Sequence, residues 1–133
     1  MMRTAVDSSV LLDVIVADPR FSVRSERALR SAMRDGTLVI GECVLAEIRP
    51  ALDQAALEEL LEDWSVEFVP SSKASSLLAG AMFDRYLRRR RHPGRVVPDF
   101  LIGAHALKHA DQLLARDRGF YRDYFEGLTL VEP

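Results

Sequence analysis

The chain has 133 residues, of which 48% are hydrophobic and 29% charged, and this composition excludes a collagen-like or largely disordered protein. Its net charge is -2, and no apolar run reaches the roughly 18 residues of a membrane-spanning helix. The single cysteine, Cys43, excludes an intrachain disulfide and a thiolate zinc cluster. We therefore expect one globular domain over residues 1–133, with no signal peptide and no membrane segment, in the cytoplasm.

In the first half of the chain, short apolar runs alternate with longer amphipathic segments. Residues 3–7 predict a buried strand that ends in an acid, Asp7. Residues 8–16 are apolar nearly all round, which favours a short buried helix but also allows a strand. Apolar residues then recur at helical spacing until Asp35-Gly36 ends the helix. The elements predicted after it are a strand at 37–40, helices at 43–50 and 53–64, and a strand at 66–69.

The second half continues the alternation. A long helix is predicted from about residue 72 into an arginine-rich run, and Pro93-Gly94 ends it. Another helix begins near Pro98, and strands are predicted at 112–115 and 128–131. Strands that alternate with helices predict an α/β fold, a three-layer sandwich in which helices flank a mostly parallel central sheet of about five strands.

Four acids stand where such a sheet would bring ligands, in the crevice outside the carboxyl ends of its strands. Asp7 ends the first strand, Asp117 follows the fourth, and Asp99 lies in the first turn of a helix. Glu47 lies on the helix after the second strand, and its apolar neighbours predict that its carboxylate turns toward the packed side. Taken alone, Asp7 is typical of a helix cap or turn, Asp99 of a dipole contact in a first helical turn, and Asp117 of a surface ion pair.

If the four carboxylates converge, they require a cation. Two carboxylates about 4 Å apart repel by roughly 4 kcal/mol at an effective dielectric constant near 20. Oxygen ligands suit Mg²⁺ or Mn²⁺, and such an ion can polarise a phosphoryl oxygen and acidify a water molecule. The pattern therefore favours phosphodiester hydrolysis, with the Ser8 and Ser9 hydroxyl groups supporting the metal or its water.

A cluster of arginines provides a second indication. Six arginines and no acid occur between residues 85 and 95, and guanidinium groups pair well with phosphates. Such a run is equally typical of a solvated helix face or of a docking site for an acidic protein. The residues predicted to contact RNA are Arg88, Arg89, Arg90, Arg91, Arg95 and Arg116.

Other side chains receive structural interpretations. His105 and His109 are four residues apart on a predicted helix and can share a face, and we assign them surface or supporting roles. The aromatic residues between 120 and 125 are predicted to pack under the last strand.

Four segments in order resemble one family. They are Val6-Asp7-Ser8-Ser9-Val10-Leu11-Leu12, Val44-Leu45-Ala46-Glu47-Ile48, residues 98–106 and residues 113–121. Together they resemble the PIN-domain ribonucleases, specifically the VapC-type toxins of bacterial and archaeal toxin–antitoxin pairs. Two positions depart from the family pattern: Ser8-Ser9 replaces the frequent Thr-Asn or Thr-Ser, and Ala115 replaces a frequent Thr or Ser.

The resemblance implies a PIN-like fold and a Mg²⁺- or Mn²⁺-dependent endoribonuclease. It implies that Asp7, Glu47, Asp99 and Asp117 bind the metal and form the catalytic site, with Ser9 supporting it. It also implies a homodimer that is silenced by a VapB-type antitoxin.

Two other functions stay open on the sequence. One is a PIN-like module without catalysis, which binds RNA or a protein through its arginines. The other is a haloacid-dehalogenase-like phosphatase, whose first strand also ends in an aspartate, but that family expects a second acid two residues later and position 9 is serine.

Overall fold

A computed structural model describes residues 1–89 and 94–133 of the chain. Five strands form one sheet, and every neighbouring pair is parallel. The strands are β1 (Met2–Val6), β2 (Gly36–Ile40), β3 (Glu67–Phe68), β4 (Gln112–Leu114) and β5 (Leu130–Val131). The helices are α1 (Ser8–Ile15), α2 (Ser22–Asp35), α3 (Glu42–Ile48), α4 (Gln54–Asp63), α5 (Lys73–Arg89), α6 (Val97–His109) and α7 (Arg118–Tyr124). The predicted α/β sandwich with a parallel five-stranded sheet is confirmed.

The strand order is β3-β2-β1-β4-β5, so the direction of winding reverses between β1 and β4. Residues on both faces of the central strands are buried, including Ala5 and Val6 of β1 and Val39 and Ile40 of β2. This is the burial expected of a parallel sheet that helices cover on both faces. In a sheet wound in this way, the crevice for ligands lies where the winding reverses, at the carboxyl ends of β1 and β4.

Two helices bear on the sequence predictions. Residues 8–16, for which the sequence favours a helix and allows a strand, form helix α1 as far as Ile15, so the favoured prediction is confirmed. Helix α7 was not predicted, because its seven residues are too few to show a clear helical period. The predicted end of the long helix at Pro93-Gly94 follows residues 90–93, which lie outside the part of the chain that the structure describes.

An aromatic cluster fixes α7 against α5 and α6. The Phe100 ring lies 5.1 Å from that of Phe120, 5.5 Å from that of Tyr124 and 5.5 Å from that of Tyr86, measured between ring centroids. The predicted packing role of the aromatic residues at 120–125 is therefore confirmed for the rings of this cluster. Because α7 follows β4 directly, the cluster also holds the loop at the carboxyl end of that strand.

Gly103 allows α6 to approach this cluster closely. A Cβ atom at position 103 would lie 2.3 Å from Cε2 of Phe125, whose side chain is buried. We expect Gly103→Ala to lower the free energy of unfolding by about 1–3 kcal/mol, because the Phe125 ring must shift in a packed core. Urea unfolding measures the change. Gly80→Ala is the matched control, because a Cβ there meets no atom within 4 Å and alanine is the better helix former; equal losses in both variants would contradict the steric explanation.

Within residues 1–89 and 94–133, no helix combines the length and the apolar character that crossing a bilayer requires.

Candidate active site

Asp7 lies at the reversal point of the sheet. It follows β1 directly, and its backbone N–H donates to the carbonyl oxygen of Leu114 at the end of β4, at 3.0 Å. Its side chain is buried and accepts hydrogen bonds from the Ser9 hydroxyl at 2.6 Å and the Tyr121 hydroxyl at 3.2 Å. Two neighbouring strands and two hydroxyl groups therefore hold this carboxylate in one position.

Burial raises the pKa of Asp7 above its ordinary value, and the negative charge of Asp117 raises it further. The hydrogen bonds from Ser9, Tyr121 and the backbone N–H of Ser8 act in the opposite direction, but burial outweighs them. Asp7 is thus a carboxylate whose ionised form the protein alone stabilises poorly.

Glu47, near the end of α3, is coupled to the same site. Its carboxylate accepts a hydrogen bond from the Ser8 hydroxyl at 3.1 Å. Partial burial raises its pKa, the Ser8 hydrogen bond lowers it, and the charges of Asp7 and Asp99 raise it. The residue is exposed, so the prediction that it turns toward the packed side is wrong. The buried face of α3 carries Val44 and Ile48, and Glu47 lies beside that face rather than on it.

Asp99 and Asp117 each have a partner close at hand. Asp99, in the first turn of α6, accepts a hydrogen bond from the backbone N–H of Val96 at 3.0 Å, one half of a capping box. Asp117, which precedes α7, forms an ion pair of 2.5 Å with Arg95. Asp117 is therefore an ion-pair partner, as its structural interpretation predicts, and Asp99 accepts a hydrogen bond at the start of its helix, while the charges of both also act on the other acids.

The four predicted acids thus lie in one electrostatic neighbourhood, in which Asp117 acts on Asp7, and Asp7 and Asp99 act on Glu47. The four acids do not form a coordination shell in this structure. Among the residues that the structure describes, no three acid, histidine or cysteine side chains are grouped closely enough to hold a metal ion.

Comparison with known proteins decides the family. The family model of the PIN domain matches residues 4–126 of the chain. The chain belongs to the PIN domain family. No curated protein gives a significant match to the sequence of this PIN domain.

Several solved structures share the fold of this PIN domain. VapBC2 from Rickettsia felis, bound to a DNA fragment from its promoter, is 17% identical, with 99% of each chain covered and a TM-score of 0.73. VapBC-1 from nontypeable Haemophilus influenzae is 18% identical, with 98% of each chain covered and a TM-score of 0.72. DNA-bound VapBC from Salmonella typhimurium is 14% identical, covering 99% of this chain and 98% of that chain, with a TM-score of 0.67. At these identities the likeness concerns the fold.

The predicted RNA-contacting arginines of the PIN domain have different surroundings. Arg88 pairs with Asp84, one helical turn earlier, and both side chains are largely exposed. The Arg89 guanidinium lies 5.9 Å from the centroid of the Tyr124 ring. Arg95 pairs with Asp117 and lies 4.3 Å from the Phe120 ring centroid. Two predicted residues lie outside the described part of the chain, Arg90 and Arg91.

Arg116 has a structural partner. Its guanidinium donates two hydrogen bonds to the buried carboxylate of Asp13 on α1, at 2.9 and 3.0 Å. The Ser25 hydroxyl donates to the same carboxylate at 2.7 Å. This ion pair joins α1, α2 and the β4–α7 loop, so the charge of Arg116 is compensated inside the protein. No local pattern indicates this pairing, because Asp13 lies 103 positions earlier in the sequence.

The sequence analysis did not predict the roles of two residues, Tyr121 and Asp13. Tyr121 was interpreted as a packing residue, yet its buried hydroxyl donates to Asp7, and burial raises its pKa far above the ordinary value, so that it keeps its proton. Asp13 was read as part of an apolar helix, although it is the acceptor for Arg116. No local pattern marks either residue, because each acts on a partner more than 100 positions away.

The predicted histidine pair does share a face, with ring centroids 5.1 Å apart. The surface role suggested for His105 is wrong, because the side chain is buried and its Nε2 lies 2.6 Å from the carbonyl oxygen of Val69. Burial lowers the pKa of His105. The pair therefore belongs to the packing between α6 and the end of β3 rather than to the acidic site.

Proposed function

We propose that this PIN domain is a metal-dependent endoribonuclease that hydrolyses RNA phosphodiester bonds through Asp7, Glu47, Asp99 and Asp117. The observation that carries the proposal is the placement of these acids around the crevice where the sheet reverses, where burial and, to a smaller extent, the charges of neighbouring acids raise the pKa values of Asp7 and Glu47. A protein gains nothing in stability from such an arrangement unless a cation relieves it.

The donor set fits Mg²⁺ or Mn²⁺. All four side chains offer carboxylate oxygens, which hard divalent cations prefer, and the first of them is already oriented by two hydroxyl groups. Once bound, the ion would supply charge stabilisation to a phosphoryl oxygen and a lower pKa to its water. Arg95 contacts Oδ2 of Asp117 and the Val96 N–H donates to Oδ2 of Asp99, so each carboxylate keeps a second oxygen that can bind the ion.

The protein's own groups have distinct tasks in this proposal. Ser9 and Tyr121 orient Asp7 by donating to its two different oxygens. Ser8 orients Glu47 in the same manner. Arg95 neutralises Asp117 and, once displaced, is a guanidinium group beside the site that can pair with a phosphate of the substrate.

For its cellular role we propose a VapC-type toxin of a toxin–antitoxin pair. In this proposal residues 1–133 form one domain, two copies form a homodimer that cleaves RNA in the cytoplasm, and a VapB-type antitoxin inhibits it. Support comes from the shared fold with VapBC2 and VapBC-1, in which the alignment covers 99% and 98% of the matched chains. Support also comes from the family segments around Asp7, Glu47, Asp99 and Asp117 in the sequence.

Cleavage of labelled tRNA, rRNA fragments and mRNA tests the enzymatic proposal. The purified protein should cut RNA with Mg²⁺ or Mn²⁺ and stop on addition of a chelator, and Asp99→Asn should remove the activity. Cleavage that persists in the chelator, or in a cleanly prepared Asp99→Asn variant, would contradict the assignment. A copurifying small DNA-binding protein that abolishes cleavage would support the toxin role separately.

The second candidate is a PIN-like module that binds RNA or protein without catalysis. Two observations favour it: Asp117 is ion-paired with Arg95, and among the described residues no three side chains that could bind a metal are grouped together. Calorimetric titration with Mn²⁺ separates the two candidates, because the nuclease must bind the ion and the module need not.

Tyr121→Phe should weaken Mn²⁺ binding by about 10- to 100-fold while leaving the fold intact. The substitution keeps the ring in its aromatic cluster and removes only the hydroxyl that orients Asp7, and losses of this size are typical when a group that orients a metal ligand is removed. Calorimetry with Mn²⁺ gives the affinity, and urea unfolding monitors the fold. Tyr124→Phe, on the same helix, is the control. Equally weakened Mn²⁺ binding in both variants would show that the Tyr121 hydroxyl has no specific role in metal binding.

A further inference from the structure

Phe21, just before α2, is surrounded by guanidinium groups. The Cζ atoms of Arg20, Arg24 and Arg116 lie 5.3, 5.4 and 4.1 Å from the centroid of its ring. The ring is half-buried, and Arg20 and Arg24 are exposed. Three cations around one ring form a surface that is flat, aromatic and positive.

Two of these charges have no acid to balance them. Arg116 is neutralised by the buried Asp13, but neither Arg20 nor Arg24 forms an ion pair with any acid in the described part of the chain. Uncompensated arginines next to one another repel, and an anionic ligand would relieve that repulsion.

The segment that carries this surface is held in place before any ligand arrives. A carboxylate oxygen of Asp18 accepts hydrogen bonds from the backbone N–H groups of Arg20 and Phe21, at 2.8 and 3.0 Å. The carbonyl oxygen of Asp18 accepts the N–H of Ser22, so the chain turns directly into α2. A ligand therefore has little backbone to order here, which reduces the entropic cost of binding.

The same surface lies between Arg116 and a cleft. Arg116, whose guanidinium lies over the Phe21 ring, precedes Asp117 in the chain. On the other side, Arg24 also borders a cleft of about 470 Å³ between α2 and strands β4 and β5. Its polar and charged lining consists of Thr4, Arg24, Arg27, Ser31, Asp35, Gln112 and Glu132.

We propose that Arg20, Phe21, Arg24 and Arg27, the α2 basic surface, bind the phosphate backbone and a base of the single-stranded RNA that enters the acidic site. This rests on the proposed nuclease function and adds a contact region outside the arginine cluster at 85–95. The exposed guanidinium groups of Arg20 and Arg24 pair with phosphates, and their planes, which lie near the Phe21 ring, can stack on a base. An acidic peptide would use the charges but has no base to stack on these planes, and for this reason we favour RNA.

Fluorescence anisotropy with a labelled, mixed-sequence single-stranded RNA in a chelating buffer tests the proposal without cleavage. The double variant Arg20→Ala/Arg24→Ala should bind about tenfold more weakly, and the slope of log K against log salt should fall by about 1.4, the value for two lost contacts to a single strand. Phe21→Leu should weaken binding about fivefold and leave the slope unchanged, because it removes the ring against which the Arg20 and Arg24 guanidinium groups lie but removes no charge.

Arg34→Ala is the matched control, since Arg34 lies on the same helix but does not line the cleft. The proposal is overturned if the control loses as much affinity as the double variant, if the double variant binds like the wild type, or if the wild type fails to bind this RNA. It is also overturned if an acidic peptide displaces the RNA and is equally sensitive to Phe21→Leu. Chelator-sensitive cleavage, assayed separately, decides the nuclease function, so RNA binding without cleavage would leave the surface assigned and the enzyme rejected.

Discussion

Asp7→Asn will lower metal-dependent RNA cleavage by more than about a hundredfold and, in the absence of metal, will raise the free energy of unfolding. The first effect follows from the proposed function, in which Asp7 is a metal ligand, because the loss of a ligand costs more than the loss of a group that orients it, and the latter already costs up to about a hundredfold. The second follows because the wild-type protein must keep a carboxylate charged although burial and the charge of Asp117 disfavour that form. Asparagine keeps the shape and carries no charge.

The stability difference has a defined pH dependence. The pKa of Asp7 is raised in the folded state, so its contribution to stability is fully present below the unfolded value of 3.8 and is lost as the pH rises through the folded value. The Asp7→Asn variant has no ionisable group at this position, so its stability does not fall in this way as the pH rises. Its advantage in urea unfolding should therefore be small near pH 4 and reach its full size at pH 7, in chelating buffer throughout.

Glu59→Gln is the control for Asp7→Asn, because it removes the same charge from an exposed position on α4. It should change neither cleavage nor stability noticeably. Addition of Mn²⁺ should stabilise the wild type and the control but not Asp7→Asn. A metal-free wild type that is more stable than Asp7→Asn at pH 7 would mean that the hydroxyl contacts outweigh burial and repulsion, and the electrostatic case for a metal site would fail.

Arg116→Met will lower the free energy of unfolding by about 3 kcal/mol, the lower end of the range for breaking a buried ion pair. The lower end applies because the Arg116 side chain is itself 34% exposed, whereas that of Asp13 is 4% exposed. Removal of the guanidinium leaves the Asp13 carboxylate with the Ser25 hydroxyl as its remaining side-chain donor among the described residues. Urea unfolding at neutral pH measures the loss.

A double-mutant cycle identifies the cause of that loss. Asp13→Asn in the Arg116→Met background should recover part of the stability, because no uncompensated charge then remains buried. Arg122→Met, which removes a charge from an exposed position on α7, should cost less than about 0.5 kcal/mol. If the cycle shows no coupling, or if the folded Arg116→Met protein loses RNA binding while its stability is unchanged, the residue is an RNA contact as the sequence suggested.

The acids of the site were predictable because strand ends and helix starts carry a local signal. Asp7 follows a β-forming run, Asp117 follows another, and Asp99 comes directly after Pro98, which is common in a first helical turn. A parallel sheet brings such positions to one edge whatever the details of packing. The role of Tyr121 at this edge, in contrast, depends on how α7 is packed against α6, and no pattern in the sequence shows that.

The sequence by itself determined the α/β order of elements, the parallel sheet and the four acids at its carboxyl edge, because hydrophobic period and turn residues act over a few neighbouring positions. Only the tertiary structure decided which partner each charge has. Arg116 neutralises Asp13 and Arg95 neutralises Asp117, while Arg20 and Arg24 remain around Phe21 without an acid among the described residues. Ion pairs form between side chains that are close in space, and over the separations in sequence found here that closeness is set by packing.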